Sequence, residues 1–310
     1  IIVKKVIKVD IGFTPRELMF LQLLPRCNRV VGMLGFEMGN PDKKSCSLFF
    51  EWYPLGDIRD WRKREFVQRN NKPVPETYIW RFLIQMSQAL AFIHKGLGTV
   101  IKPWRKIIHR DIKPDNILVV DNGTTYPSFR LSDFGVSKQM KRGDARESTA
   151  GTHVWQPPEL PLINTPAADI WSVGAVVHFI ALGRAPVDNI DEYRNRVLEK
   201  LNGDYPASYE RAKSADRTQY WRVKVPRKVT SINVSPEKQY AERTKFDGGN
   251  VDPRSFNTQY SDRLNFWMHQ CLTTNSRRRV TTDALLRDMV PDAEAIIHKM
   301  AGKAGLVDLD

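Results

Sequence analysis

The sequence predicts an α+β chain in which a small β-rich segment with one helix precedes a larger, mainly helical segment. Three observations carry that prediction. A Val- and Ile-rich run opens the chain and two further strand-like runs joined by a turn follow within the first 53 residues, longer stretches with helical spacing of apolar residues come next, and a polar loop, "IIHRDIKPDNILVV" (107–120), lies near the start of the second part. That loop crowds a basic pair, two carboxylates, a lysine and an amide between apolar β-branched walls. A solvated loop needs no such walls, and a core strand does not tolerate so much charge. The pattern reads as a polar site held rigidly between packed segments, in a cleft between the two parts.

The elements follow in order. "IIVKKVIKV" (1–9) reads as a strand. "TPRELMFLQLL" (14–24) reads as a short amphipathic helix, with Thr14 as its N-cap and Pro15 at the first helical position. "RVVGMLGFEM" (29–38) and "SCSLFFEWY" (45–53) read as two strands joined by a "GNPDKK" turn. In "PETYIWRFLIQMSQALAFIH" (75–94), Tyr78, Phe82, Met86, Ala89 and Ile93 share one helical face. After the polar loop, "DNGTTYPSFRLSDFG" reads as a hairpin turn and returning strand. Apolar periodicity then supports helices near 167–182, 190–202, 261–272 and 281–299. The basic, weakly periodic stretch 203–260 reads as an inserted, partly disordered loop.

Composition narrows the class. With 41% hydrophobic and 27% charged residues over 310 positions, the chain is globular. Its longest mostly apolar run, "SVGAVVHFIALG" (172–183), is too short to span a bilayer and reads as a core helix. Charges inside the first apolar run argue against a secretory signal, and the lack of an initiator Met suggests a fragment. Cys27, Cys46 and Cys271 are too few and scattered for a disulfide framework or a metal site, so free thiols in an intracellular, cytoplasmic or nuclear, setting are expected. The formal charge of +13 comes with no nucleic-acid-binding motif and reads as a basic solvated surface.

Taken together, the motifs are specific. "HRDIKPDN" supplies Asp111 and, five residues on, Asn116; "DFG" supplies Asp133, Phe134 and Gly135, with Asp133 22 residues beyond Asp111; "PPE" ends at Glu159, and "DIWSVG" begins at Asp169. In this order they resemble the eukaryotic protein kinases, whose pattern is H-R-D-x-x-x-x-N, D-F-G and A-P-E. The resemblance covers residues from Lys4 to about Met289. It implies a bilobal protein-kinase-like fold: a small, partial antiparallel sheet with one helix (1–50), a hinge (51–56), and a mainly helical lobe (57–300) carrying the basic insert.

The resemblance also implies roles, and the chemistry explains the residue types. Phosphoryl transfer needs positioning and charge neutralisation more than covalent work. Asp111 would orient the substrate hydroxyl and accept its proton, while Asn116 and Asp133 would hold magnesium through hard oxygen ligands. Lys113 would neutralise the transferring group; lysine there resembles the serine/threonine-specific members, as does Thr152 in "GTHVWQPPE", which would tie the substrate-binding loop to Asp111 and Lys113. Protein substrates are thereby expected. Lys4 in "IIVKKV" is the choice for the lysine that meets the ATP phosphates, with Lys5 on the opposite strand face as its competitor and Glu17 as the helix glutamate that holds it. Phe50 would be the hinge gatekeeper, and Glu51 and Tyr53 would offer backbone groups to adenine. His109 and Phe134, with Leu21 and Leu34, would form a packed column. Asp169 would bond the backbone of the catalytic loop, and Glu159 would pair with Arg279. Arg110 beside Asp111 implies switching by phosphorylation, from an upstream kinase or by autophosphorylation, at Thr149 or Ser148, with Arg16, Arg110 and Lys138 as phosphate partners.

Some features depart from the family pattern. The sequence has no G-x-G-x-x-G segment, Ile2 stands where a small Ala is usual, and only 13 residues separate Lys4 from Glu17. Insertions are expected at "KGLGTVIKPWRK", "DNGTTYPS" and 203–260. Two functions stay open: an ATP-dependent serine/threonine protein kinase, or a non-catalytic kinase-like binding module with impaired ATP handling.

Overall fold

The computed structural model describes residues 1–69, 71–140, 150–159, 164–247 and 258–309. Its N-terminal part is a three-stranded antiparallel sheet of order β1–β3–β2, built from Ile2–Lys8 (β1), Met33–Met38 (β2) and Ser45–Glu51 (β3). Between β1 and β2 runs one helix, Arg16–Leu23 (α1). Pro15, not Thr14, is its N-cap, and no side chain caps it, so the helix starts one residue later than the sequence predicts. Leu18 of α1 packs on Cys46 and Leu48 of β3, with Ile7 and Leu21 at the edge of this small core. Alternation along β1 puts Val3, Lys5 and Ile7 half-buried and the residues between them in solvent.

The remainder is largely helical. Ile58–Arg62 (α2) is capped by Asp57, whose carboxylate accepts the Asp60 N–H at 2.9 Å. Glu76–Lys95 (α3) is followed by two short strand pairs, Ile107–Ile108 (β4) with Lys138–Gln139 (β7), and Ile117–Val120 (β5) with Ser128–Leu131 (β6). Pro166–Leu182 (α4) is the central helix, buried from Ala168 to Ile180. Its Gly174 admits Cys271, far along the chain, closely: an added Cβ would lie 2.7 Å from Cys271 Cβ. Ile190–Lys200 (α5) comes next. The stretch expected to be a loop instead contains, among its described residues, four helices: Ala207–Glu210 (α6), Ser214–Arg217 (α7), Tyr220–Lys224 (α8) and Pro236–Asp247 (α9). The absence of strong periodicity hid them, because α6 to α8 are only four or five residues long and neither α6 nor α8 buries a residue. Arg227, just after α8, ties this stretch down by donating to the carbonyls of His153 and Gln156, each at 2.7 Å. Asp262–Cys271 (α10), Thr282–Ala284 (α11) and Val290–Ala301 (α12) complete the chain, with a π-helical turn at Leu285–Met289 and a final 3₁₀ segment at Gly302–Leu306.

α3 differs from its expected one-sided burial. Sixteen of its 20 residues are buried, Arg81 and Gln85 among them. Buried Arg81 and Gln85 need partners, and both residues 127–129 at the start of β6 and the chain after α12 supply them.

His178 in the centre of α4 is fully buried and held neutral by two bonds: its Nδ1–H donates to the Arg184 carbonyl at 2.9 Å, and its Nε2 accepts the Thr230 N–H at 3.2 Å. Burial pushes its pKa down to about 3. An unfolded chain protonates the same ring near pH ~6.5. The stability it contributes is therefore complete above that value and lost as the pH falls toward about 3. We expect the melting temperature of His178→Asn to fall less steeply than wild type across that window in a thermal-melt series. Equal slopes would remove His178 as a source of the acid sensitivity.

Candidate active site

The polar loop is placed by buried backbone anchors. Ile107 and Ile108 enter it fully buried on β4, and β5 leaves it. Between them the carboxylate of Asp169, in the first turn of α4, accepts the N–H of His109 at 2.8 Å and of Arg110 at 2.9 Å, and lies 2.9 Å from His94 Nε2. These bonds hold Arg110 at a φ of +71°, a left-handed backbone that a non-glycine residue adopts only when its surroundings demand it. The Arg110 side chain is buried and donates to Val136 O at 2.6 Å and Asn164 Oδ1 at 3.1 Å. His109 is a packing residue. Its Nδ1 accepts the Asp111 N–H at 3.3 Å, so Nε2 carries the proton donated to Ser132 O at 2.9 Å, and its ring stands edge-on to Phe134 with centroids 5.0 Å apart. Burial lowers its pKa and keeps it neutral.

Asp111 is the hub that this scaffold presents. One carboxylate oxygen accepts the Thr152 N–H at 2.8 Å; the other meets Lys113 Nζ at 2.9 Å and Asn116 Nδ2 at 3.0 Å. Lys113 Nζ also donates to Thr152 Oγ1 at 2.9 Å, closing a ring of Asp111, Lys113 and Thr152. Thr152 can come this close because Gly151 precedes it at a φ of +89°, where an added Cβ would sit 2.2 Å from the Arg110 carbonyl oxygen. The "AGT" run is the sequence signal for this glycine, which sequence reasoning did not single out. Asn164 was missed too, because nothing near it in the chain marks a partner for Arg110.

A second cluster faces the first. Lys5 Nζ lies 2.7 Å from Glu17 Oε2 and 3.2 Å from Asp133 Oδ1. The choice of Lys4 is therefore corrected. Lys4 occupies the solvent face of β1, where its Nζ bonds Asn40 Oδ1 at 2.6 Å. The strand period of two decides between neighbours, and it places Lys5 with Val3 and Ile7 on the inward side. Burial alone would lower the Lys5 pKa, but Glu17 and Asp133 outweigh it and hold it above the ordinary lysine value. Burial alone would raise the Asp133 carboxyl; the Lys5 ammonium and the Gly135 N–H, 3.2 Å away, outweigh it and hold it below the ordinary carboxylate range. Asp133 itself has a φ of +62°.

Lys5, Glu17 and Asp133, with Asn116 from the first cluster, line a cavity of about 610 Å³ whose apolar walls include Val3, Val31 and Leu118. Its size and apolar walls with a few convergent polar groups suit a small-molecule cofactor. Phe50, Glu51 and Tyr53 lie on its rim where β3 passes into the next segment. The Tyr53 phenol is engaged, receiving Arg130 at 2.7 Å and lying 3.3 Å from the Glu51 carboxylate. The donor set also fits a hard divalent cation. Asn116 spends its amide hydrogens on Asp111 O and Oδ2, which leaves Oδ1 as its oxygen donor; Asp133 Oδ2 takes no hydrogen bond among the described residues. No group of three His, Cys, Asp or Glu placed to hold a metal ion occurs among the described residues.

Other expected positions resolve as follows. Arg279, buried, grips Glu159 with two bonds of 2.6 and 2.8 Å. Phe134 is fully buried and Leu21 packs at the main core, but Leu34 is half-exposed on β2 and takes no part in the column; it falls on the strand's outward face. Arg16 reaches Ser137 O at 3.4 Å. Ser148 and Thr149 lie outside the described residues.

A buried, backbone-anchored loop bearing Asp, Lys and Asn, facing a strand Lys, a helix Glu and a second Asp, is the site arrangement of one large family. The protein kinase domain family matches residues 2–290, and the chain belongs to it. It is similar, at 27% identity over 194 residues, to the probable serine/threonine-protein kinase MARK-C of Dictyostelium discoideum, covering 61% of this chain and 22% of that protein. It is also 27% identical over 176 residues to a probable myosin light chain kinase of the same organism, covering 56% of this chain and 32% of the relative. The chain thus spans about a fifth and a third of these relatives' lengths. No helix among the described residues is long and apolar enough to cross a membrane.

Proposed function

We propose that this chain is the catalytic domain of a serine/threonine protein kinase, with residues 1–50 as the smaller lobe, 51–56 as the hinge and 57–300 as the larger lobe. The observation that carries the reading is the closed ring of Asp111, Lys113 and Thr152 opposite the Lys5–Glu17–Asp133 cluster. Magnesium-bound ATP, when present, supplies the phosphoryl group and neutralises part of its charge. Asp111 orients the incoming Ser or Thr hydroxyl and takes its proton. Lys5, in the cavity wall, sets positive charge toward the remaining phosphates, and Lys113, beside Asp111, sets it toward the transferring group. Glu17 keeps Lys5 in place, and Asn116 and Asp133 offer oxygens to the cation. Glu51 and Tyr53 offer hinge backbone groups to adenine. Ser148 and Thr149 are the proposed acceptors of an activating phosphate, from an upstream kinase or by autophosphorylation. Free thiols accord with an intracellular setting.

The test is transfer of labelled γ-phosphate to a mixture of Ser/Thr and Tyr peptides, alongside thermal melts with Mg-ATP. At a ligand concentration about 100 times Kd, binding stabilises by roughly 2.7 kcal/mol, a shift of a few degrees. We expect transfer to Ser/Thr peptides, its loss on chelation of magnesium, and loss of both transfer and melt shift in Asp133→Asn. A folded protein with neither transfer nor melt shift would favour the binding-module reading.

A further inference from the structure

The second face of α3 carries Arg81, Gln85 and Gln88, spaced so that they line up along the helix. Such a row is normally solvated, yet Arg81 and Gln85 are fully buried. The chain beyond α12 covers them. α12 stops at Gly302, whose φ of 62° and ψ of −158° are open essentially to glycine alone, and the chain turns back. Gly305 then passes so near α12 that an added Cβ would lie 2.7 Å from Ile297 Cγ2 and 2.8 Å from Ala301 Cβ.

From there α3 holds the segment by its main-chain carbonyls. Arg81 Nη1 donates to Gly305 O at 2.6 Å and Val307 O at 2.8 Å, Gln85 Nε2 to Asp308 O at 2.7 Å, and Gln88 Nε2 to Leu309 O at 2.5 Å. Leu309 is buried. The segment in turn holds Arg29, a buried cation in the loop from α1 to β2. Arg29 Nη1 and Nη2 donate to Asp308 Oδ1 at 3.1 Å and Asp308 O at 2.9 Å, and Arg29 Nε donates to Gln88 Oε1 at 2.5 Å. The 302–309 segment itself lies beyond residue 290, where the family match ends.

Arg29 is connected to both sides of the Lys5–Glu17–Asp133 cluster. Its carbonyl accepts the Leu131 N–H at 2.9 Å, two residues before Asp133, and the Val31 N–H returns to the Leu131 carbonyl at 2.9 Å. On the other side, only Leu24 to Asn28 separate Arg29 from the end of α1, which carries Glu17. A buried guanidinium deprived of its carboxylate is driven toward water, and it would take this loop with it.

We propose that Gly302–Leu309 is a positioning element of the active site: through Asp308 it fixes Arg29 and so sets Glu17 and Asp133 against Lys5. The proposal rests on the kinase reading for its kinetic consequence, but its structural consequence is independent. The test compares Asp308→Gly, Asp308→Asn and wild type in the full chain. Asp308 has a φ of +57°, which glycine and asparagine both accept, so Asp308→Gly removes the carboxylate without backbone strain and Asp308→Asn keeps an acceptor. We expect Asp308→Gly to raise KM for ATP by about 3- to 10-fold with a smaller change in kcat, to speed hydrogen exchange in α1 but not in α4, and Asp308→Asn to restore both. Faster exchange confined to the 302–309 segment and α3, with KM unchanged, would overturn the proposal. Should wild type neither transfer phosphate nor bind Mg-ATP, the kinase reading fails, and exchange in α1 alone decides: faster in Asp308→Gly supports positioning, unchanged overturns it.

Discussion

Asp111→Asn is expected to lower kcat for peptide phosphorylation by about 10³-fold while leaving KM for ATP and the Mg-ATP melt shift near wild type. The side chain faces three donors, the Thr152 N–H, Lys113 Nζ and Asn116 Nδ2, all of which its ionised form accepts. Asparagine keeps the shape and one acceptor, so Thr152 stays held, but its amide group cannot receive a proton or oppose the Lys113 charge. Positioned general bases contribute about 10²–10⁴-fold, and the loss should fall on kcat and kcat/KM alike because the interaction matters only as the hydroxyl gives up its proton. The Asp133–Lys5 side of the cavity is untouched, which is why nucleotide binding should survive. Steady-state kinetics with a Ser peptide checks the outcome. A variant that retains more than about a tenth of wild-type kcat would remove Asp111 as the base, since that lies below the range expected of one.

Lys5→Met and Lys4→Met should differ sharply, although the two lysines are neighbours. Lys5 bridges Glu17 and Asp133 on the inward face of β1, whereas Lys4 bonds Asn40 on the solvent face. Losing one preorganised donor to the reacting phosphates costs about 10²–10³-fold, so Lys5→Met should lose activity on that scale. It should also lower the melting temperature by a few degrees, because buried Glu17 would lose the ammonium it pairs with. Lys4→Met should keep activity within about twofold and melt within a degree or so, as an exposed polar replacement does. The pair of variants, assayed together for transfer and melting, sinks the assignment if Lys4→Met is the damaging one.

Much of the polar loop was legible in the residues themselves. "HRDIKPDN" and "DFG" keep their meaning because each places several polar groups within one short turn, and the geometry of a turn is set locally by its own chain. The partners of Asp169 and Arg279 were legible for a related reason: each closes on a segment named by its own motif. Lys5 was not, because two adjacent lysines on one strand differ only in which face they occupy. The hydrophobic period around them, Ile-Ile-Val before and Val-Ile after, does not announce which face is inward. The helices α6 to α8 escaped notice because none buries a continuous apolar stripe.

By itself the sequence determined that this chain is an α+β protein with a small N-terminal sheet, a helical remainder and a polar loop walled by Ile and Val. Those properties follow from local periodicity and from residue types crowded within single turns. Tertiary structure alone decided that Lys5 faces Glu17, that α3 buries Arg81 and Gln85, and that Asp308 meets Arg29 across 279 positions. Each depends on which surfaces pack together, and a buried charge finds its partner by closure in space rather than by proximity along the chain.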